Sequence, residues 1–133
     1  MLGDQIGEER GNSTGRRVLP GAGGATMEVS FEASGKFLGV NVTDMGTYVS
    51  VMRPDGSIEG QGQGIIMGAG GEVATWKGTG VGKMVGPGAV SYRGVLLYQS
   101  PTPGWARLNS TVGVFEYEVA ADGATLGKIW EWK

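Results

Sequence analysis

Residues 26–34 alternate apolar and polar side chains one for one, with Met27, Val29, Phe31 and Ala33 on one face and Glu28, Ser30, Glu32 and Ser34 on the other. Successive strand residues point to opposite faces, so a period of two predicts a half-buried β-strand. Ser34-Gly35 predicts a turn into a second strand over 36–44, where Leu38, Val40 and Val42 share a face with Asp44 and oppose Phe37, Asn41 and Thr43. Gly46 interrupts the pattern, which resumes over 47–53. Pro54-Asp55-Gly56 then predicts a hairpin turn, since proline fixes φ and glycine tolerates a positive one.

Two glycine-punctuated strands follow, over 57–67 and 72–85, joined by Gly68-Ala69-Gly70-Gly71. In Gly60-x-Gly62-x-Gly64 and Gly78-x-Gly80-x-Gly82 the glycines fall on even positions, which strips one face of each strand of side chains and predicts a close approach or a sharp curl there. Beyond Gly86-Pro87-Gly88 lie strands over 89–100, near 105–109, over 112–120 and over 125–132, with turns at 101–104 and 121–123. Upstream, 4–10 and 14–19 read as two strands around Gly11-Asn12-Ser13, followed by a loop over 20–24. No segment has a helical period.

Eight to ten short strands with turn signals about every ten residues predict an all-β fold, an antiparallel up-and-down β-barrel, with a β-sandwich as the alternative. Alternate glycines on neighbouring strands favour the barrel, because they relieve crowding inside a tightly curved sheet and closure removes exposed edges. On 89–100, Tyr92, Leu96 and Tyr98 lie on one face and Val95 and Leu97 on the other. With neither face plainly polar, the outer one is expected to meet another copy, making the protein a homo-oligomer. Leu126, Trp130 and Trp132 share a face near the C-terminus, and the tryptophans are expected to plug one barrel end or anchor an interface.

Composition changes this picture mainly by exclusion. The 133 residues suit one domain, 40% apolar composition supports a core, and 27 glycines without a period of three exclude collagen. A net charge of −2 with scattered cations argues against nucleic acid as a partner. Cysteine and histidine are both absent, which removes disulfides, thiolate nucleophiles and the usual zinc ligands, so no metal or cofactor is expected. No leader-like segment and no apolar run of roughly 20 residues is found, so the expectation is a cytoplasmic protein without membrane contact. The sequons at Asn12, Asn41 and Asn109 then carry no meaning.

Chemistry rests on carboxylates, tyrosines and arginines. Residues 78–83 suggest a phosphate loop only superficially, since Lys77 stands where its leading glycine belongs and Met84 where its Ser/Thr belongs. Asp44 continues an apolar face beside Gly46 and Tyr48, so a carboxylate at a barrel mouth is a candidate base or ligand anchor; a turn aspartate capping backbone N–H groups is the bland alternative. Glu116 and Glu118 form a second pair, weighed against simple solvation. Arg93 beside Tyr92 and Arg107 beside Trp105 could hold a carboxylate ligand in two parallel hydrogen bonds, or lie on the surface. Asp44, Tyr48, Arg93 and Glu116 are therefore the catalytic candidates, and Tyr48, Tyr92 and Arg107 the ligand-contacting ones.

Gly60-x-Gly62-x-Gly64, Thr75-Trp76-x-Gly78-x-Gly80-x-Gly82 and Ser91-Tyr92-Arg93-Gly94 resemble uncharacterised bacterial calycin-like β-barrels, similar in layout to the allene oxide cyclase and streptavidin-like barrels. The resemblance covers 26–133 in strand rhythm and transfers no functional residue. It implies a mostly apolar interior needing few polar groups and no cofactor. Three functions are compatible with this: a barrel binding a small hydrophobic or amphipathic ligand, with a cavity of a few hundred cubic ångströms; a cofactor-independent isomerase or cyclase, with a buried carboxylate of raised pKa; and a structural barrel filled by its own side chains.

Overall fold

The computed structural model describes residues 1–21 and 23–133, so the loop expected over 20–24 includes Ala22, which lies outside the described residues. Eight antiparallel strands follow one another around a closed barrel: β1 (Leu2–Leu19), β2 (Thr26–Phe37), β3 (Val40–Met52), β4 (Ile58–Gly68), β5 (Val73–Gly86), β6 (Ala89–Gln99), β7 (Val112–Val119) and β8 (Ala124–Trp132). β8 returns to pair with β1, Glu8 opposite Lys128 and Gly11 opposite Thr125, which leaves no sheet edge and excludes the sandwich.

Several local expectations are corrected. Residues 4–19 form one strand, because Gly11, Asn12 and Ser13 are paired with β2, and the irregularity is a register shift between Ser13 and Gly15. Two paired neighbours outweigh a weak turn signal, and the bulge absorbs the extra residue. β2 likewise continues through Ser34-Gly35 to Phe37; the hairpin turn is Leu38-Gly39, with φ of 51° and 76°, both left-handed as a two-residue I′ connection requires. Gly46 does not interrupt β3.

The segment near 105–109 is a 3₁₀ helix, Pro103–Ser110, which Pro103 starts with its fixed φ. Trp105 and Leu108, three residues apart, eclipse on one face and bury into the barrel end. Trp105 meets the ring of Phe37 edge-on at 5.5 Å. This helix is the plug. Trp130 and Trp132 are not, because Ile129 takes the inner face of β8 and the tryptophans on the opposite parity point outward, Trp132 into solvent. Val95 and Leu97 also face outward, and nothing within the chain covers Leu97.

Inside, the glycine rows of β4 and β5 face the large rings of neighbouring strands. A Cβ on Gly64 would run into the Trp76 indole, one on Gly46 would lie 2.6 Å from Trp76 Cζ2, and one on Gly82 2.7 Å from the Tyr92 ring. The missing side chains are thus replaced by aromatic volume from nearby strands. The interior is tiered. Ile6, Phe37, Val42, Ile66, Ala74, Tyr98 and Ile129 form a floor on the plug; Ile58, Tyr92 and Val119, with Tyr48 and Tyr117 against them, close the other end.

Candidate functional site

Between these tiers β1 and β3 each send one carboxyl inward. Glu9 is opposite Gly35 of β2, and Asp44 is opposite Ala33 of the same strand. Gly35 and Ala33 are too small to separate them, so the two carboxyls hydrogen-bond across β2. Both are buried, at 5% and 6% exposure. The Trp76 indole donates Nε1–H to Asp44 Oδ1 at 2.9 Å, which anchors that carboxyl from β5.

Both acids are held above the ordinary carboxylate range. Burial is the main cause for each; for Glu9 the neighbouring Asp44 charge adds to it, whereas hydrogen bonds from Glu9 and Trp76 partly offset it at Asp44. Two close carboxyls away from water cannot both ionise cheaply, so the pair keeps one shared proton, with Glu9 donating to the ionised Asp44. Burial also raises Tyr48, Tyr92, Tyr98 and Tyr117, keeping these phenols neutral.

A cavity of about 100 Å³ borders this pair, walled by Phe31, Tyr48, Trp76, Phe115 and Tyr117 and by the bare backbone of Gly60, Gly62 and Gly80. Tyr48 meets Tyr92 at 5.8 Å and Tyr117 at 6.1 Å, both edge-to-face, and this triad forms the end opposite the plug. Phe31 stacks on Trp76 at 6.1 Å. Two buried oxygens on the cavity wall, Glu9 Oε2 and Tyr98 Oη, have no hydrogen-bond partner, and Tyr117 Oη and Thr125 Oγ1 have only each other. Native interiors rarely leave polar atoms unpaired, so their convergence on one cavity is the most informative feature of the molecule.

The structure brings together Asp44, Tyr48 and Tyr92 and separates them from the other sequence candidates. Asp44 lies deep in the barrel within a continuous strand, neither capping a turn nor sitting at the mouth. Arg93 points outward and pairs with Glu118 at 3.0 Å and Glu116 at 3.7 Å, all three half exposed. Both glutamates share the outer parity of β7 with Val112 and Val114, while Gly113, Phe115, Tyr117 and Val119 face in, so the Glu116 side chain is turned outward although the residue borders the interior cavity. Exposed pairs of this kind contribute little to stability. Arg107 belongs to the plug helix, 3.7 Å from Glu131, and lines an outer groove with Asp4 and Glu72, away from the interior.

Sequence reasoning missed Glu9, Trp76, Tyr98, Tyr117 and Thr125. For Glu9 the signal was the small-residue parity Gly7, Glu9, Gly11, Ser13, an inner face whose one large member is an acid. The register irregularities of β1 hid it. Among the described residues no group of three or more potential metal ligands gathers, and no helix is long and apolar enough to cross a membrane.

No protein-family profile matches the chain, and no curated protein matches it. Solved structures do. A protein of unknown function from Clostridium acetobutylicum superposes with a TM-score of 0.86 at 13% identity, over 98% of each chain. A β-barrel-like protein from Acinetobacter baumannii gives 0.84 at 12%, over 100% of this chain and 96% of that one. A conserved protein of unknown function from Rhodopseudomonas palustris gives 0.82 at 12%, over 98% and 97%. At such identities the likeness is one of fold, and it places the chain beside uncharacterised bacterial barrels.

Proposed function

We propose that the protein binds one small molecule inside its barrel, seated between the Glu9–Asp44 pair and the tyrosine triad. The observation that carries this is the set of unpaired buried oxygens around a cavity whose remaining wall is aromatic or bare backbone. Ligand pockets have this character, mostly apolar with a few convergent polar groups. The cavity, about 100 Å³, is smaller than the few hundred expected, because the protein's own rings occupy most of the interior. An apolar cavity of about 150 Å³ admits benzene, with six non-hydrogen atoms, so the ligand here is a compact molecule of roughly four or five.

A filling substitution tests this. A Cβ on Gly127 would touch only Tyr117 Cδ1, at 3.5 Å, so Gly127→Val fits the wall while occupying the cavity. Wild-type protein is expected to show saturation-transfer NMR contacts and a raised melting temperature with compact alcohols and amines of about that size, and the folded Gly127→Val variant neither. Equal responses from both proteins, or none from the wild type, would overturn the proposal.

A second reading is favoured by one observation, two buried carboxyls on one apolar cavity of which Trp76 anchors only Asp44. A pair with one acid protonated and its neighbour ionised in an apolar cavity is the arrangement by which enzymes set an acid against a base. A cofactor-independent isomerase would use Asp44 to take a proton and Glu9 to return one. Under it, a compact carbonyl compound exchanges its α-hydrogens in deuterated water only with protein that retains Asp44.

A further inference from the structure

We infer that the interior site takes a small organic cation, a primary ammonium carried on a compact apolar body, in preference to a neutral molecule of the same shape; the inference rests on the binding reading above. Three observations converge. Two carboxyl side chains, Glu9 and Asp44, point into the cavity, Glu116 borders it with its side chain turned out toward Arg93, and no Lys or Arg is among its described lining residues. Buried carboxylates are ordinarily paired with a cation, and here, among the described residues, Asp44 has the Trp76 N–H and the Glu9 carboxyl as its partners. The walls are built largely from the rings of Phe31, Tyr48, Trp76, Phe115 and Tyr117, side chains whose faces attract cations through their quadrupoles.

The third observation concerns donor count. Tyr98 Oη is buried at 3% exposure, has no partner and lies in the field of both carboxyls. With Glu9 Oε2 and Asp44 it supplies three acceptors, the number that an ammonium with three N–H donors requires. A neutral alcohol can accept from the Tyr98 O–H but offers only one donor to the two carboxyls, leaving one of them unmet.

Without ligand, the shared proton holds the carboxyl pair at a single negative charge. When R–NH₃⁺ binds, that proton leaves to solvent, both carboxylates ionise, and the ammonium replaces it, so the net charge of the interior is unchanged. The groups facing the pair are Tyr48 from β3, Tyr92 and Tyr98 from β6, Tyr117 from β7 and the uncharged indole of Trp76 from β5; exposed Arg16, opposite Val29 on the face that Tyr48 shares, acts on Tyr48 from the barrel mouth. The phenols stay neutral at physiological pH, which leaves Glu9 as the group that releases the proton.

Calorimetry with isobutylamine and its neutral isostere isobutanol tests this, each titrated into the intact chain in two buffers of different ionisation enthalpy. Isobutylamine is expected to bind the wild type at least about tenfold more tightly than isobutanol. Its binding should release about one proton, and its affinity should rise up to about tenfold per pH unit between pH 6 and 8. Asp44→Asn should bring the two ligands to near parity. Glu9→Gln, which keeps the shape of the protonated acid, should abolish the proton release even if Asp44→Asn does not fold. Isobutanol binding as tightly as isobutylamine would overturn the cation preference and leave the binding site standing. If neither ligand binds, the binding reading falls with it.

Discussion

Raising the pH from about 5 to about 8 is expected to lower the stability of the wild-type protein, by up to about 1.4 kcal/mol per pH unit over part of that range. In the unfolded chain Glu9 titrates near its ordinary value of 4.5; in the barrel it is raised, by burial first and by Asp44 second. The folded protein therefore holds a proton that the unfolded chain has lost. Stability is fully present below the unfolded value and declines as the pH climbs toward the folded one. Asp44 is shifted in the same direction, but as the ionised partner of the pair it holds no extra proton in this range and leaves the slope to Glu9. Asp55 is lowered, chiefly by its hydrogen bond with Ser57, and acts only below its ordinary value of 3.8, outside this range. Glu9→Gln removes the titrating group while keeping its volume, so its stability should be nearly flat from pH 5 to 8 and exceed that of the wild type at the alkaline end. Urea denaturation at a series of pH values measures this. A wild-type protein that gains stability with pH, or a Glu9→Gln variant with the same slope, would contradict the shared proton.

Replacing Gly94 by valine is expected to prevent folding. A Cβ at that position would collide with the Thr79 carbonyl oxygen and lie 2.7 Å from Gly80 Cα, so the obstruction is neighbouring backbone, which cannot rotate away as a side chain can. Overpacking usually costs about 1–3 kcal/mol, and a clash with paired backbone lies at or beyond the upper end, a large part of a small domain's stability. Gly15→Val is the control. Nothing lies within 4 Å of its added Cβ, the position is exposed, and a β-branched residue suits a strand. Circular dichroism melts should show Gly15→Val unchanged within about 0.5 kcal/mol and Gly94→Val without a cooperative transition. A normally melting Gly94→Val would show that the close strand contact does not constrain the barrel.

The barrel was legible in the chain because its determinants are local. Alternation on β2, turn chemistry at Asp55-Gly56 and Asp122-Gly123, and paired glycine rows each specify a strand or a hairpin. The 3₁₀ plug was not: Trp105 and Leu108 are three apart, a spacing as compatible with one irregular turn as with a short strand, and only the open barrel end decides between them. The site was half legible. Asp44 stood out because it extends an apolar row. Glu9 did not, since its inner parity contains glycine and serine in place of apolar residues, and its partner lies on a strand it does not contact directly. A pair formed across an intervening strand leaves no spacing in the sequence. Arg93 attracted notice because it flanks Tyr92, and Glu116 because it pairs with Glu118 on one strand face, but the strand parity seen in the barrel turns both side chains outward.

The central claim is that the buried Glu9–Asp44 pair is where a small molecule binds, and carboxyl ¹³C NMR of protein labelled at Glu and Asp tests it most directly. Two signals, assigned with Glu9→Gln and Asp44→Asn, should fail to titrate in the ordinary carboxylate range, and these two should move most when isobutylamine is added at pH 7.5. Ordinary titration of both carboxyls, or a saturating ligand that leaves both signals in place, would contradict the account.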